Sequence, residues 1–211
     1  MTCVIICGGE ITDYEYISMY LAEASLVISA DSGARHCERL QVTPDILVGD
    51  FDSILSKDYN DMVKAGAEIA RFPAEKDMTD SELAVEIALS RGCKRIILLG
   101  AIGSRLDHSI SNIFLLKKIT DQNVEGLLAN EKNEIRLVKE CLELERDEWP
   151  FVTLLPFAGD AVGVTIKGFY YPLVNATLKT GSTWGVSNII TEPKAQIDVR
   201  EGYLLVIKSR D

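Results

Sequence analysis

What this chain has least of narrows its class before any motif is read. Histidine occurs twice in 211 residues, at His36 and His108, and neither has a partner at metal-ligand spacing, so a zinc enzyme is not expected. The five cysteines, Cys3, Cys7, Cys37, Cys93 and Cys141, are odd in number and hold no C-x-x-C pair. They signal neither a disulfide framework nor a zinc cluster and fit a reducing cytosol. Positive charge is short: 22 Lys plus Arg against 32 Asp plus Glu give a net charge of −10, a field that repels a phosphate backbone. Nucleic acid is therefore set aside as a partner. Long apolar runs are missing as well. The stretch around Ile96–Ile102 falls far below the ~20 residues that cross a bilayer. The apolar start Cys3–Cys7 has no basic leader and is too short for a signal segment, so it reads as a strand in a cytoplasmic protein without a membrane partner. Repeats and low-complexity tracts are absent too, and no disordered linker separates one part from another.

What is present is a regular alternation. Strand-type apolar runs at Cys3–Cys7, Leu26–Ala30, Ile46–Gly49, Ala67–Phe72, Arg95–Leu99 and Val124–Ala129 are rich in Ile, Leu and Val, as a sheet covered on both faces requires. Helical segments at Asp13–Ala24, Ala34–Leu40, Ser53–Ala65, Asp80–Arg91 and Asp107–Ile119 fall between them, with Gly66 and Gly92 placed as C-caps. Right-handed crossovers then predict a doubly wound, mostly parallel six-stranded sheet over residues 1–129, with ligands in the crevice beyond the strand ends. From residue 130 to 211 the texture changes to short runs at Ile135–Val138, Phe151–Leu155, Val162–Ile166, Ala176–Lys179 and Tyr203–Lys208, broken by Gly, Pro, Asn and Asp. That pattern predicts a small antiparallel β-sandwich or barrel.

An acidic protein that handles phosphates needs a local cation, most simply a divalent metal held by its carboxylates. Candidate stations sit where strands end. Ile46-Leu47-Val48-Gly49 runs into Asp50-Phe51-Asp52-Ser53. If the backbone stays extended, residues two apart share a face about 6.5–7 Å apart, so Asp50 and Asp52 can grip one hard cation while Gly49 admits a close ligand. Helix capping by Asp52 or Ser53 explains the same residues. In Phe72-Pro73-Ala74-Glu75-Lys76-Asp77-Met78-Thr79-Asp80, a Thr79/Glu82 capping box accounts for two positions. Lys76, Asp77 and Asp80 are left as a phosphate and metal station. The loop Gly100-Ala101-Ile102-Gly103-Ser104-Arg105-Leu106-Asp107-His108 joins a backbone that can approach a ligand to the fixed guanidinium fork of Arg105, with Asp107 able to position a hydroxyl or merely to cap a helix. Gly8-Gly9 and Ala30-Asp31-Ser32-Gly33 repeat the theme without completing a dinucleotide fingerprint. In the last third, Thr180-Gly181-Ser182-Thr183-Trp184-Gly185-Val186-Ser187-Asn188 carries one indole, which could stack on a flat cation or fill a core.

Together, Gly49-Asp50-Phe51-Asp52-Ser53, Lys76-Asp77-Met78-Thr79-Asp80, Gly103-Ser104-Arg105-Leu106-Asp107-His108 and Gly181 to Asn188 resemble the thiamine pyrophosphokinase family of bacterial type in order and spacing, over nearly the whole chain. The resemblance implies transfer of a diphosphate from ATP to the hydroxyethyl group of thiamine, with Mg2+, in a homodimer whose active sites lie at the subunit interface. It further implies that Asp50, Asp52 and Asp80 are the magnesium-associated acids. Asp31, Gly49, Lys76, Thr79, Arg105 and His108 would contact the nucleotide, Asp107 the thiamine hydroxyl, and Ser182, Ser187 and Asn188 the thiamine, with Trp184 added as a stacking residue. Where the family often carries an acid after the Ser-Asn pair, this chain has Ile189. Two rivals share the same residues: a phosphohydrolase with Asp50 as nucleophile, and a non-enzymatic sensor of thiamine or nucleotide.

Overall fold

A computed structural model of the protein describes residues 1–51, 62–72 and 77–211. The chain forms two compact units, Met1–Glu131 and Lys132–Asp211. In the first, the described strands are β1 (Thr2–Ile6), β2 (Leu26–Ala30), β3 (Ile46–Gly49), β4 (Glu68–Arg71), β5 (Arg95–Leu99) and β6 (Glu125–Ala129). All pair in parallel, in the order β4-β3-β2-β1-β5-β6. The central strands are buried at nearly every residue, Cys3 to Ile6 and Ile96 to Leu99 included, which is why they read as unbroken apolar runs.

Helices cover both faces. On one side α1 (Tyr14–Leu21) and α2 (Ala34–Leu40) set Ile17, Tyr20, Ala34 and Cys37 against Val4, Ile6, Leu47 and Leu99. On the other lie α3 (Asp80–Ser90) and α4 (Leu106–Asp121). A Cβ built on Gly126, one residue before the Leu127 of the first face, would stand 2.9 Å from Leu116 and 3.2 Å from Ile119. The helix expected over Ser53–Ala65 lies largely outside the described residues, of which 62–64 are helical. Strand order reverses between β1 and β5, so the crevice that opens at their carboxyl ends is the place where such a sheet binds ligands.

The second unit is antiparallel: β7 (Asn133–Val138), β8 (Cys141–Glu145), β9 (Phe151–Lys167), β10 (Leu173–Leu178), β11 (Asn188–Ile189), β12 (Lys194–Asp198) and β13 (Glu201–Ser209). Its core gathers Val152, Leu154, Val164, Ile166, Ile197, Leu204 and Val206. The fold class is the expected one, an α/β sheet followed by a small β-sandwich, but two details differ. The runs Phe151–Leu155 and Val162–Ile166 are one strand, bent where Ala158 and Gly163 take φ of 58° and 71° and where its register with β13 shifts. Strands β8 and β12 went unforeseen because each alternates apolar and charged residues. They pair with each other and bury Leu144, Ala195 and Ile197 on one side only.

Candidate active site

At the reversal between β1 and β5 the first unit holds an open cavity of about 1010 Å³. Its walls come from the loops after β1, β2 and β5, from the start of α3 and from α2 and α4. One side is acidic. Asp31 follows β2 directly and takes φ 46°, a left-handed conformation that a short polar side chain tolerates better than most. Asp80 opens α3, where Thr79 accepts a 3.2 Å bond from the Glu82 backbone N–H and the helix N-terminus favours a carboxylate. The Glu82 side chain does not close the capping box, because it reaches 2.7 Å across to Lys118 of α4. A Cβ built on Gly49 would stand 3.4 Å from Asp31 Cα and 3.7 Å from Asp80 Oδ1. The end of β3, which leads into Asp50, therefore meets Asp31 and Asp80 at one rim.

The backbone between Asp50 and Asp52 leaves the extended region at Phe51. Strand β3 stops at Gly49, and Phe51 takes φ 66°, burying its ring in the core. For a bulky residue that conformation costs about 1–3 kcal/mol and is seen where surrounding structure holds it. Asp52 and Lys76 lie outside the described residues. Among the described residues no three His, Cys, Asp or Glu side chains gather around a metal position. The donors at the rim are nevertheless hard carboxylate oxygens, the chemistry that suits magnesium.

Basic groups line the cavity as well. Arg35 and Arg39, one turn apart on α2, line the cavity together with Arg105. Arg105 is the N-cap of α4, so Asp107 sits inside the first turn rather than at the cap. The two form a fork, Nη2 to Oδ2 at 2.6 Å and Nε to Oδ1 at 3.3 Å. The Arg105 hydrogen bond holds the Asp107 carboxyl below its ordinary range. His108 lines the same cavity with Nε2 3.9 Å from Asp107. Beneath the glycine loop, Ser109 Oγ binds the backbone of Gly103 and Arg105, and the buried Asn112 amide donates to Ala101 O at 2.8 Å.

His36 is buried beside Arg35. Burial pushes its imidazole below the ordinary value against the pull of the Gly9 carbonyl, and Arg35 and Arg39 add to the depression. Cys7, on the cavity wall, receives a 3.4 Å contact from Ser81 and is pushed up to about 11 by burial, so it is no nucleophile at neutral pH.

In the second unit Trp184 is 62 % exposed, so it is not a core residue; Trp149, at 6 %, has that fate. Ser182 Oγ accepts from Trp184 N at 3.2 Å and shapes the turn. Ser187 takes φ 58° and its N–H donates to Thr153 Oγ1. Asn188 is buried. Its Oδ1 accepts from the N–H groups of Tyr171 and Ile189, and its Nδ2 donates to Tyr171 O at 2.8 Å. That side chain holds the loop to its neighbour.

Family comparison divides along the same line. Residues 17–128 match the model described as thiamin pyrophosphokinase, catalytic domain, and residues 139–204 match thiamin pyrophosphokinase, vitamin B1 binding domain. The chain belongs to the thiamin pyrophosphokinase family. Thiamine pyrophosphokinase of Bacillus subtilis is 32 % identical over all of this chain and 99 % of its own length. Its crystal structure superposes with a TM-score of 0.92 at 30 % identity, covering both chains in full. The thiamin pyrophosphokinase structure from Geobacillus thermodenitrificans gives 0.87 at 29 % identity, over 100 % of this chain and 98 % of that one. A rice thiamine pyrophosphokinase is 27 % identical over 82 % of this chain and 69 % of its own.

Members of this family are diphosphotransferases, and the chain is an enzyme of that class. Reading strand ends missed Arg35, His36, Arg39, Ser109 and Asn112, all cavity residues. Their only linear trace is helical spacing, 35 to 39 and 109 to 112, on the helices that follow glycine loops.

Proposed function

We propose that the chain transfers a diphosphate from ATP to the hydroxyethyl oxygen of thiamine, giving thiamine diphosphate and AMP, with Mg2+. The observation that carries this reading is the cavity at the β1/β5 reversal. In a chain of net charge −10, three arginines line it together with Asp31 and Asp80. Arg35, Arg39 and Arg105 suit a polyphosphate, which forked guanidinium groups bind well. Asp50 and Asp80, with Asp52, would hold the magnesium ion, which when bound offsets charge on the transferred group.

The thiamine oxygen forms the new bond to the β-phosphorus as the bond from that phosphorus to the α-phosphate oxygen breaks and AMP leaves. The hydroxyl hydrogen passes toward Asp107, which Arg105 keeps as a carboxylate. A site without a nucleophilic side chain fits this class of transfer, which relies on positioning and charge. The α/β unit takes the nucleotide, with Gly49, Lys76, Thr79 and His108 beside it. The β-rich unit takes thiamine, with Trp184 stacking on the ring near Ser182, Ser187 and Asn188. The protein acts in the cytosol as a homodimer with active sites at the subunit interface. The exposed stripe Leu106, Ile110 and Phe114 on α4 supports self-association. Five free thiols suit a reducing compartment.

Incubation with ATP and thiamine tests the reading. AMP that forms only when thiamine is present supports it, whereas inorganic phosphate released regardless of acceptor overturns it in favour of a hydrolase.

A further inference from the structure

The Gly8-Gly9 turn after β1 is tied down by a network centred on His36 and Tyr14, two side chains that the transfer as described leaves unused. Gly9 N–H donates to Gly100 O at 2.7 Å, and a Cβ at residue 9 would stand 2.3 Å from that same oxygen. Only glycine lets the β1 and β5 loops meet this closely. The Gly9 carbonyl is bonded to His36 Nε2 at 2.7 Å. A carbonyl only accepts, so Nε2 carries the hydrogen and Nδ1 accepts the 2.7 Å bond from the Tyr14 hydroxyl. At 3.5 Å, Arg35 Nε is too far from Nε2 to alter that assignment. Arg39 donates to the Tyr14 oxygen at 3.2 Å and stands 5.6 Å over its ring. The series Arg39, Tyr14, His36, Gly9 thus runs in one direction and selects one imidazole tautomer. Arg35 adds a second hold on the carbonyls of Gly8 and Gly9.

A trans peptide points its C=O and N–H to opposite sides. With the Gly9 carbonyl drawn toward α2, the Glu10 N–H turns the other way, to the side of Gly103, where a built Cβ would stand 3.4 Å from Glu10 N. Gly9, Glu10 and Gly103 all line the cavity. Resting on the diphosphotransfer reading, we propose that His36 is a positioning residue for the nucleotide: it sets the Gly9–Glu10 peptide so that an N–H, not a carbonyl oxygen, faces the phosphates. Glycine makes the flipped peptide accessible. In that state a carbonyl dipole opposes the anion that the N–H would attract. Tyr14, which does not line the cavity, belongs to the same device because its hydroxyl selects the tautomer.

The test compares wild type with H36Q, H36N and Y14F, using turnover of magnesium-ATP with thiamine and calorimetric titration with magnesium-ATP. Glutamine carries an N–H near the place of Nε2 and keeps the bond; asparagine reaches only to the place of Nδ1 and loses it. KM and Kd for ATP rise about tenfold in H36N and about threefold in Y14F, and stay within about twofold in H36Q, while kcat and the KM for thiamine change by less than about twofold. A purely structural role would lower the melting temperature without this split. Wild-type Kd values for ATP in folded H36N and Y14F overturn the inference. If wild type binds ATP but makes no AMP, the function reading falls while the Kd comparison still decides the role of His36. Wild type that binds no ATP overturns both.

Discussion

The two walls of the cavity are built by different means. The acid wall comes from a strand end and a helix start: Asp31 directly after β2 and Asp80 at the first residue of α3. Asp31 is fixed by the end of a paired strand and Asp80 by the Thr79 cap, so backbone sets both positions. The basic wall comes from helix faces and from a cap: Arg35 and Arg39 on α2, Arg105 before α4. Long side chains on those elements reach partners away from their own backbone, as the fork of Arg105 on Asp107 and the bond of Arg35 to the Gly8 carbonyl illustrate. The acid wall therefore defines position through the backbone, whereas the basic wall places its charge through long side chains.

If that contrast holds, damage to the acid wall is the more severe. Asp80→Asn lowers kcat about 10³-fold in the AMP assay, while its melting temperature moves by only a few degrees, as loss of a helix-terminal charge warrants. Arg105→Gln lowers kcat/KM about 10²-fold, and a kcat loss as deep as that of Asp80→Asn would erase the difference between the walls. The same variant lets the Asp107 carboxyl rise toward its ordinary range in an NMR titration, because the Arg105 bond is the largest cause of its depression. In wild type the native pKa lies below the unfolded one. The pair thus contributes above the unfolded value, and its contribution is lost as pH falls through the native one.

Trp184→Ala raises the KM for thiamine about tenfold with no change in melting temperature, since the indole is exposed. Asn112→Ala is the mildest for chemistry. It leaves the Ala101 carbonyl without its donor, costs about 1–3 kcal/mol, and lowers the melting temperature by roughly 2–4 °C per kcal/mol.

The same contrast explains what could be read in the linear sequence. Strands Leu26–Ala30, Ile46–Gly49 and Arg95–Leu99 were legible to the residue because a doubly covered strand is apolar throughout and an acid or glycine stops it abruptly. Asp31, directly after β2, and Asp80, behind the Thr79 cap, are the strand-end and helix-start acids that line the cavity. Phe51 was not legible: a left-handed φ at a bulky residue is imposed by packing and has no local signature. Arg35, His36 and Arg39 were hidden because helical spacing identifies a shared face without telling which side it turns to, and only the reversal of strand order aims that face into the crevice. In the β-rich unit, the paired strands β8 and β12 escaped notice because one of their faces is charged.

Strand β9 is the common neighbour of β10, β11, β12 and β13, so four hydrogen-bonded ladders share a single seventeen-residue backbone. None of these ladders can be melted by peeling β9 away without loosening the others. A protease cut at Ala158, on the bend, would divide that shared spine and collapse the whole β-rich unit in one step, with hydrogen exchange rising together across all of its strands.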